Sequence, residues 1–278
     1  MMSANPLSQF KMPALMGILN LTPDSFSDGA MFNDPERALE HARSLLEAGA
    51  GIIDLGGEST RPGALEVSVE EELQRVLPVL RTLGRLHPRP RISIDTRHAR
   101  TAEACIAEGA NLINDISALR HDPDMAPLLA GFPQVDVILM HMRGQPETMQ
   151  VAPRYDDLYN DIKGFFIERI EFCEAHGIAR ERLFLDPGIG FGKTAEHNLA
   201  LLGALHRFAE LGLPIVLGAS RKRFIDAISA SAPDQRLAGS LAAALVGAMQ
   251  GVAILRVHDV FAHNQFFKVL RAIVGEKA

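Results

Sequence analysis

Eight short apolar runs, each ending abruptly in polar or turn-forming residues, limit the folds open to this chain more than any other feature. They lie at 15–20, 51–57, 91–96, 111–116, 135–142, 182–186, 214–219 and 252–258. The runs are nearly continuous in Ile, Leu and Val, which marks strands buried on both faces. Helical patterns separate most of them. Asp34 and Pro35 supply an N-cap followed by proline at the first helical position, and Ser68 with Glu71 has the spacing of a capping box. Gly49, Gly109, Gly177, Gly212 and Gly251 fall where helices should stop. Strands alternating with amphipathic helices imply a parallel sheet covered by helices. Eight repeats in 278 residues favour an α/β closed (β/α)8 TIM barrel over an open doubly wound sheet. No linker divides the chain, so 1–278 reads as a single domain, with 1–12 as an N-terminal extension.

Composition narrows the partners. With 47% hydrophobic and 22% charged residues the chain can bury a large core, and a net charge of -6 provides no global basic field. Neither nucleic acid nor an anionic membrane surface is an expected partner. Cys105 and Cys173 match no disulfide framework or paired metal motif, which fits a reducing cytoplasm. Met1 to Phe10 lacks the basic and apolar regions of a signal peptide. The most membrane-like stretch is Leu237 to Val257. Its Gly247 and Gly251 divide it into a buried helix and a following strand.

In a barrel of this kind the C-terminal ends of the strands converge on one cavity. Those ends carry Asn20; Glu58, Thr60 and Arg61; Asp95; Asn114; Met140 and His141; Asp186; Lys222; and Arg256 and His258. Loops are polar in general, so one such position means little, but every strand ends this way. Asp54 and Glu58 share a strand parity and could tie strand ends together; Asp54 reads mainly as structural, and Glu58 is open between structure and function. Gly188-Ile-Gly-Phe-Gly-Lys-Thr ends like a P-loop, but Pro187 stands where its first glycine belongs and Lys193 breaks the dinucleotide-binding spacing. The histidines show no spacing of a zinc motif, so a zinc site held by the protein is not expected.

Several segments together carry a more specific signal. Gly-Ile-Leu-Asn-Leu-Thr-Pro-Asp-Ser-Phe-Ser-Asp-Gly at 17–29 and Ile-Asp-Leu-Gly-Gly-Glu-Ser-Thr-Arg-Pro-Gly at 53–63 are accompanied by matching stretches at 94–96, 113–116, 139–142, 185–193, 218–222 and 256–260. Through them the chain resembles the dihydropteroate synthases, folate-pathway transferases that join 6-hydroxymethyl-7,8-dihydropterin pyrophosphate to p-aminobenzoate. The resemblance spans nearly the whole chain.

It implies that Asp95, Asn114, Ile116, Met140, Asp186, Gly218, Lys222 and Arg256 hold the pterin, with Asp95, Lys222, Arg256 and His258 as catalytic residues. It assigns p-aminobenzoate to Phe26, Thr60, Arg61, Pro62, Phe191 and Ser220, and pyrophosphate to Asn20, Arg61, Arg256 and His258, with Asn20 also ligating Mg2+. The side chains suit these roles. A carboxylate such as Asp186 can accept from the amino group and ring N–H of a pterin edge together, and Asn114 carries both a donor and an acceptor for the mixed edge. Lys222 can donate to the ring carbonyl and N5. The planar guanidinium of Arg256 can lie on the pterin face while donating to phosphate.

The implied reaction cleaves the pterin methylene C–O bond before the arylamine attacks, with anionic Asp95 favouring the positive charge that develops. Pterin is expected to bind first, the loops at 21–32 and 58–67 to close over the site, and sulfonamides to compete with p-aminobenzoate. A homodimer through late helices is also implied. Ala30, Ile189 and Arg223 depart from common family residues, and Arg223 bears on affinity for p-aminobenzoate and sulfonamides. The rival readings are a pterin-binding methyltransferase, a Schiff-base lyase using Lys222 and a non-catalytic pterin-binding paralogue.

Overall fold

The computed structural model describes residues 12–22, 35–59, 63, 66–146 and 148–274. Its strands are β1 (Ala14–Asn20), β2 (Ile52–Gly56), β3 (Arg91–Asp95), β4 (Leu112–Asp115), β5 (Asp136–Met140), β6 (Leu183–Asp186), β7 (Val216–Leu217) and β8 (Ile254–Val257). They pair in parallel in the order β6-β5-β4-β3-β2-β1-β8-β7. A bridge between Leu185 and Ile215, with Leu185 N–H donating to the Pro214 carbonyl at 3.0 Å, joins β6 to β7 and closes the ring. The expected (β/α)8 barrel is therefore the observed one.

The helices among the described residues are α1 (Pro35–Glu47), α2 (Val69–Leu83), α3 (Ala99–Ala107), α4 (Met125–Ala130), α5 (Leu158–Ala175), α6 (Ala195–Gly203), α7 (Arg223–Ile228), α8 (Leu237–Met249) and α9 (Val260–Val274). Gly49, Gly109, Gly177, Gly212 and Gly251 all take positive φ, as stop signals should. Asp34 lies outside the described residues. Only half of the expected capping box forms at α2. Ser68 Oγ accepts from Glu71 N–H at 3.2 Å, but the Glu71 carboxylate turns to Arg75 one turn on. The apolar stretch 237–257 divides into α8, a turn at Gly251 and β8; no helix among the described residues is long and apolar enough to cross a membrane. β7 is shorter than its apolar run because the Ile215 carbonyl is shared between Ala253 and Ile254 N–H, at 2.8 and 3.2 Å, which interrupts the ladder.

Two cores result. The larger lies between strands and helices and includes Leu55, Ile94, Ile113, Leu80 and Phe166. The smaller fills the barrel itself: Met16, Ile52, Leu112, Ile138, Val216 and Ile254 form one apolar cluster. Successive inward side chains on a strand are two residues apart. One step along the same strands therefore gives Ile18, Asp54, Asn114, Met140, Gly218 and Arg256. An apolar floor is overlaid by a storey built from the same six strands, of which Asp54, Asn114 and Arg256 are polar.

Candidate active site

Arg256 on β8 anchors the upper storey. Its Nε donates to Asp54 Oδ2 at 2.6 Å and its Nη2 to Asp95 Oδ2 at 2.7 Å. Asn114 Nδ2 donates to the same Asp54 oxygen at 3.4 Å. Burial pushes the Asp95 carboxyl up to about 7 against the pull of Arg256, and Asp54 pushes it further the same way. Burial alone would lower the guanidinium, but Asp54 and Asp95 more than offset it and hold Arg256 charged. The third nitrogen, Nη1, has no hydrogen-bond partner among the described residues, so it can donate to a ligand. Asp54 is fully buried, and its other oxygen, Oδ1, also lacks a partner among them.

Asp186 ends β6 and sits beside Gly218, where an added Cβ would come 3.7 Å from Asp186 Oδ2 and 4.0 Å from Arg256 Cδ. Gly218 thus leaves a flat approach to both groups. Asp186 Oδ1 accepts from Gly188 N–H at 2.7 Å. Burial raises its carboxyl pKa, opposed by that hydrogen bond and by Lys222 and Arg256. Lys222 Nζ lies 4.2 Å from the centre of the Phe191 ring, and burial with the nearby Arg256 lowers it to about 8. Ile116, Met140, Met142, Met149 and Phe191 form a separate apolar cluster beside these groups.

The loop presenting Phe191 is held by two close approaches and a buried cation. A Cβ on Gly188 would lie 2.0 Å from the His141 carbonyl oxygen, and one on Gly192 2.4 Å from that of Arg143; both glycines take positive φ. Lys193, 2% exposed, reaches the carbonyls of His141, Gly188 and Phe191 at 3.3, 3.0 and 3.0 Å and His141 Nδ1 at 2.9 Å. Burial lowers Lys193 to about 7 and, with the Lys193 charge adding to it, lowers His141 to about 2, so His141 is a neutral acceptor.

A cavity of about 820 Å³ opens at this end of the barrel, with Asn20, Phe191, Gly218, Ser220, Lys222, Arg256 and His258 in its wall. Asp95, Asn114, Met140 and Asp186 are buried just behind that wall. At the rim Ser220 Oγ accepts from His258 N–H at 3.3 Å and lies 3.1 Å from His258 Nδ1. Burial and the neighbouring Arg256 lower the imidazole to about 3. The Ser220 hydroxyl can donate to the neutral Nδ1, which assigns the ring proton to Nε2 as a donor. Arg221, at φ 58, grips Asp259 with its guanidinium, fixing the turn between Ser220 and Lys222. Arg223 also lines the cavity, at the first residue of α7, whereas Ile189 is fully buried.

Of the described strand-end residues expected to converge, Asn20, Glu58, Asp95, Asn114, Met140, Asp186, Lys222, Arg256 and His258 gather at this end of the barrel, whereas the His141 ring turns away to Lys193 and Phe165. Phe26, Ala30, Thr60, Arg61 and Pro62 lie outside the described residues, as do parts of the two expected closing loops. Glu58, left open by the sequence, accepts from Arg97 Nη2 and Nε at 2.9 and 3.1 Å. Lys193 and Met149 were missed. In the sequence Lys193 bears only on the two rejected glycine motifs, and Met149 follows β5 in a segment with no periodic signal.

The region 16–258 matches the family model described as "Pterin binding enzyme". The chain belongs to this family of pterin-binding barrels. Within it, the chain is 48% identical to the dihydropteroate synthase of Escherichia coli K12 over 266 residues, 95% of this chain and 93% of that one. Among solved structures, the Yersinia pestis dihydropteroate synthase with a sulfonamide drug complex superposes with a TM-score of 0.89 at 47% identity, covering 95% and 94% of the two chains. The Xanthomonas albilineans dihydropteroate synthase in complex with 7,8-dihydropteroate gives 0.81 at 40% identity, covering 94% and 92%. The particular group these relatives define is the dihydropteroate synthases, which are transferases.

Proposed function

We infer that this chain condenses 6-hydroxymethyl-7,8-dihydropterin pyrophosphate with p-aminobenzoate, giving 7,8-dihydropteroate and pyrophosphate. The carrying observation is the polar storey above the apolar floor: Asp186 and Asn114 to read a pterin edge, and Arg256 held flat between Asp54 and Asp95. Lys222 and His258 stand in the cavity wall as further donors. The pterin seats its pyrimidine edge on Asp186 and its ring against Met140. Its pyrophosphate points to the rim, where Arg256 Nη1 and His258 Nε2 donate to it. The methylene C–O bond breaks with its electron pair leaving on pyrophosphate, and the neutral arylamine forms the new C–N bond and gives up a proton to water. Anionic Asp95 favours the positive charge spread over the dihydropterin.

A magnesium ion fits beside Asn20. Its Oδ1 lies at the cavity wall, close to Asp95 across Gly56, and a neutral oxygen joined by phosphate oxygens and waters suits this hard cation. Asn20 would hold the ion, which when bound supplies positive charge against the leaving pyrophosphate. Pairing of two copies through the late helices is supported by exposed Met249, Phe261, Val269 and Ile273. Sedimentation velocity at micromolar protein checks it, a monomer at all concentrations ruling it out. A cytoplasmic location fits the composition and buried free thiols.

The test of the reaction is pyrophosphate release with magnesium and dihydropterin pyrophosphate, with and without p-aminobenzoate. Release that requires p-aminobenzoate, with dihydropteroate formed in equal amount, is the expected result. Pterin binding with no release would return the paralogue and methyltransferase readings, which gain no support from the relatives described.

A further inference from the structure

We propose that Glu66, His98 and His121 form a binding site for a first-row transition-metal ion of the zinc type, separate from the pterin cavity. The three residues come from three successive strand-to-helix connections, after β2, β3 and β4. Glu66 Oε1 lies 3.4 Å from His98 Nε2 and 3.4 Å from His121 Nε2, and the three candidate ligand atoms lie within 4.8 Å of one another. Ligands held tetrahedrally around zinc at its usual bond lengths sit about 3.4 Å apart. Two edges of the triangle already have that length, and rotation of the exposed His121 ring closes the third.

The surroundings favour a soft or borderline cation. Two imidazoles and one carboxylate, with a fourth position left to water, make a zinc-type donor set and a poor one for magnesium. His98 is aimed from behind: its Nδ1 lies 3.0 Å from Glu72 Oε2, which also accepts from Thr101 Oγ1 at 2.6 Å, and Glu72 is fully buried. A carboxylate on the far nitrogen of a metal-binding imidazole fixes the tautomer that presents the other nitrogen. Glu58 and Glu66 place two carboxylates on a single guanidinium, that of Arg97. Arg97 is the competing cation, with Nη2 3.3 Å from Glu66 Oε1 and Nη1 3.4 Å from His121 Nδ1. Its stronger attachment is the two-pronged grip on Glu58, which metal binding leaves intact.

The spacing 66, 98, 121 matches no local zinc motif because the barrel, not one helix or turn, brings the ligands together. A bound ion would tie the connection carrying Thr60, Arg61 and Pro62 to the next two connections of the barrel.

The test uses the full-length, tag-free chain, stripped with chelator and titrated with Co2+ in excess Mg2+ while visible absorption is recorded. One equivalent of Co2+ should give intense d–d bands of low coordination number, which Zn2+ then displaces. Glu66→Ala and His121→Ala, both at exposed side chains, should each weaken binding at least tenfold with circular dichroism unchanged. His176→Ala, an exposed histidine beyond α5, should bind as the parent does. Absence of stoichiometric bands at tenfold excess Co2+, or bands unchanged in both ligand variants, would overturn the proposal. Because the readout is the spectrum of the metal, the outcome is independent of the reaction the cavity performs.

Discussion

Two arginines in this molecule are each gripped by carboxylates, with different consequences. Arg97 spends its guanidinium on protein: Nε and Nη2 go to Glu58, Nη2 also reaches Glu66, and Nη1 faces His121. Arg256 is held by Asp54 and Asp95 through Nε and Nη2, but it stands in the cavity wall with Nη1 directed to no described residue. The first arrangement joins loops; the second preorganises a donor. What separates them is whether a nitrogen remains for a ligand, not how many carboxylates surround the cation.

Conservative replacements break this comparison most directly. Arg256→Lys keeps the charge but loses the planar fork and the ring-stacking face, so kcat/KM for the pterin substrate should fall by about 10²–10³, roughly 3–4 kcal/mol. Arg97→Lys should instead cost stability, about 1–3 kcal/mol in urea unfolding, because the buried Glu58 keeps only part of its pairing. Its kcat/KM should stay within about threefold of the parent. The reverse pattern would exchange the two roles.

Asp54→Asn sharpens the reading of Arg256. It removes the charge behind Nε while leaving the shape, and should lower kcat about tenfold with a smaller change in KM. Equal losses in KM and stability with kcat unchanged would make Asp54 merely structural.

The pH profile gives a subtler contrast. Asp95, pushed up to about 7, takes a proton as pH falls through that value and the anion facing the pterin is lost; Lys222, lowered to about 8, loses its proton above it. For the free enzyme, kcat/KM should therefore decline on both sides of a narrow optimum between those values. Asp95→Asn should lower the maximum and flatten the acid limb. An acid limb that persists unchanged assigns it to another group. The smallest effect is expected at Ser93, paired with Asp54 across β2 and β3, fully buried and with Oγ unbonded among the described residues. Ser93→Ala should change unfolding free energy by less than about 1 kcal/mol, and a larger loss would reveal a buried water joining Ser93 Oγ to Asp54 Oδ1.

The eight strands and the residues at their ends were legible because both depend on local pattern: a short apolar run, then a polar exit. Asp54 ties strand ends together, as its strand parity suggests, but its partner could not be named in advance, because Arg256 is 202 positions away and no periodicity links them. Lys193 was obscured by a sequence likeness to a nucleotide loop. Its actual contacts, mostly backbone carbonyls, follow from chain path rather than residue type. The second half of the capping box was lost to competition, since Arg75 attracts the Glu71 carboxylate more strongly than a backbone N–H does.

The apolar floor of Met16, Ile52, Leu112, Ile138, Val216 and Ile254 makes the barrel a vessel with one opening. On the proposed reaction the pterin would sit at the bottom and p-aminobenzoate would follow it in at the mouth, with pyrophosphate and the joined product leaving by the same opening. On that arrangement a p-aminobenzoate analogue held at the mouth would do more than compete for a place: it would shut in the pterin beneath it.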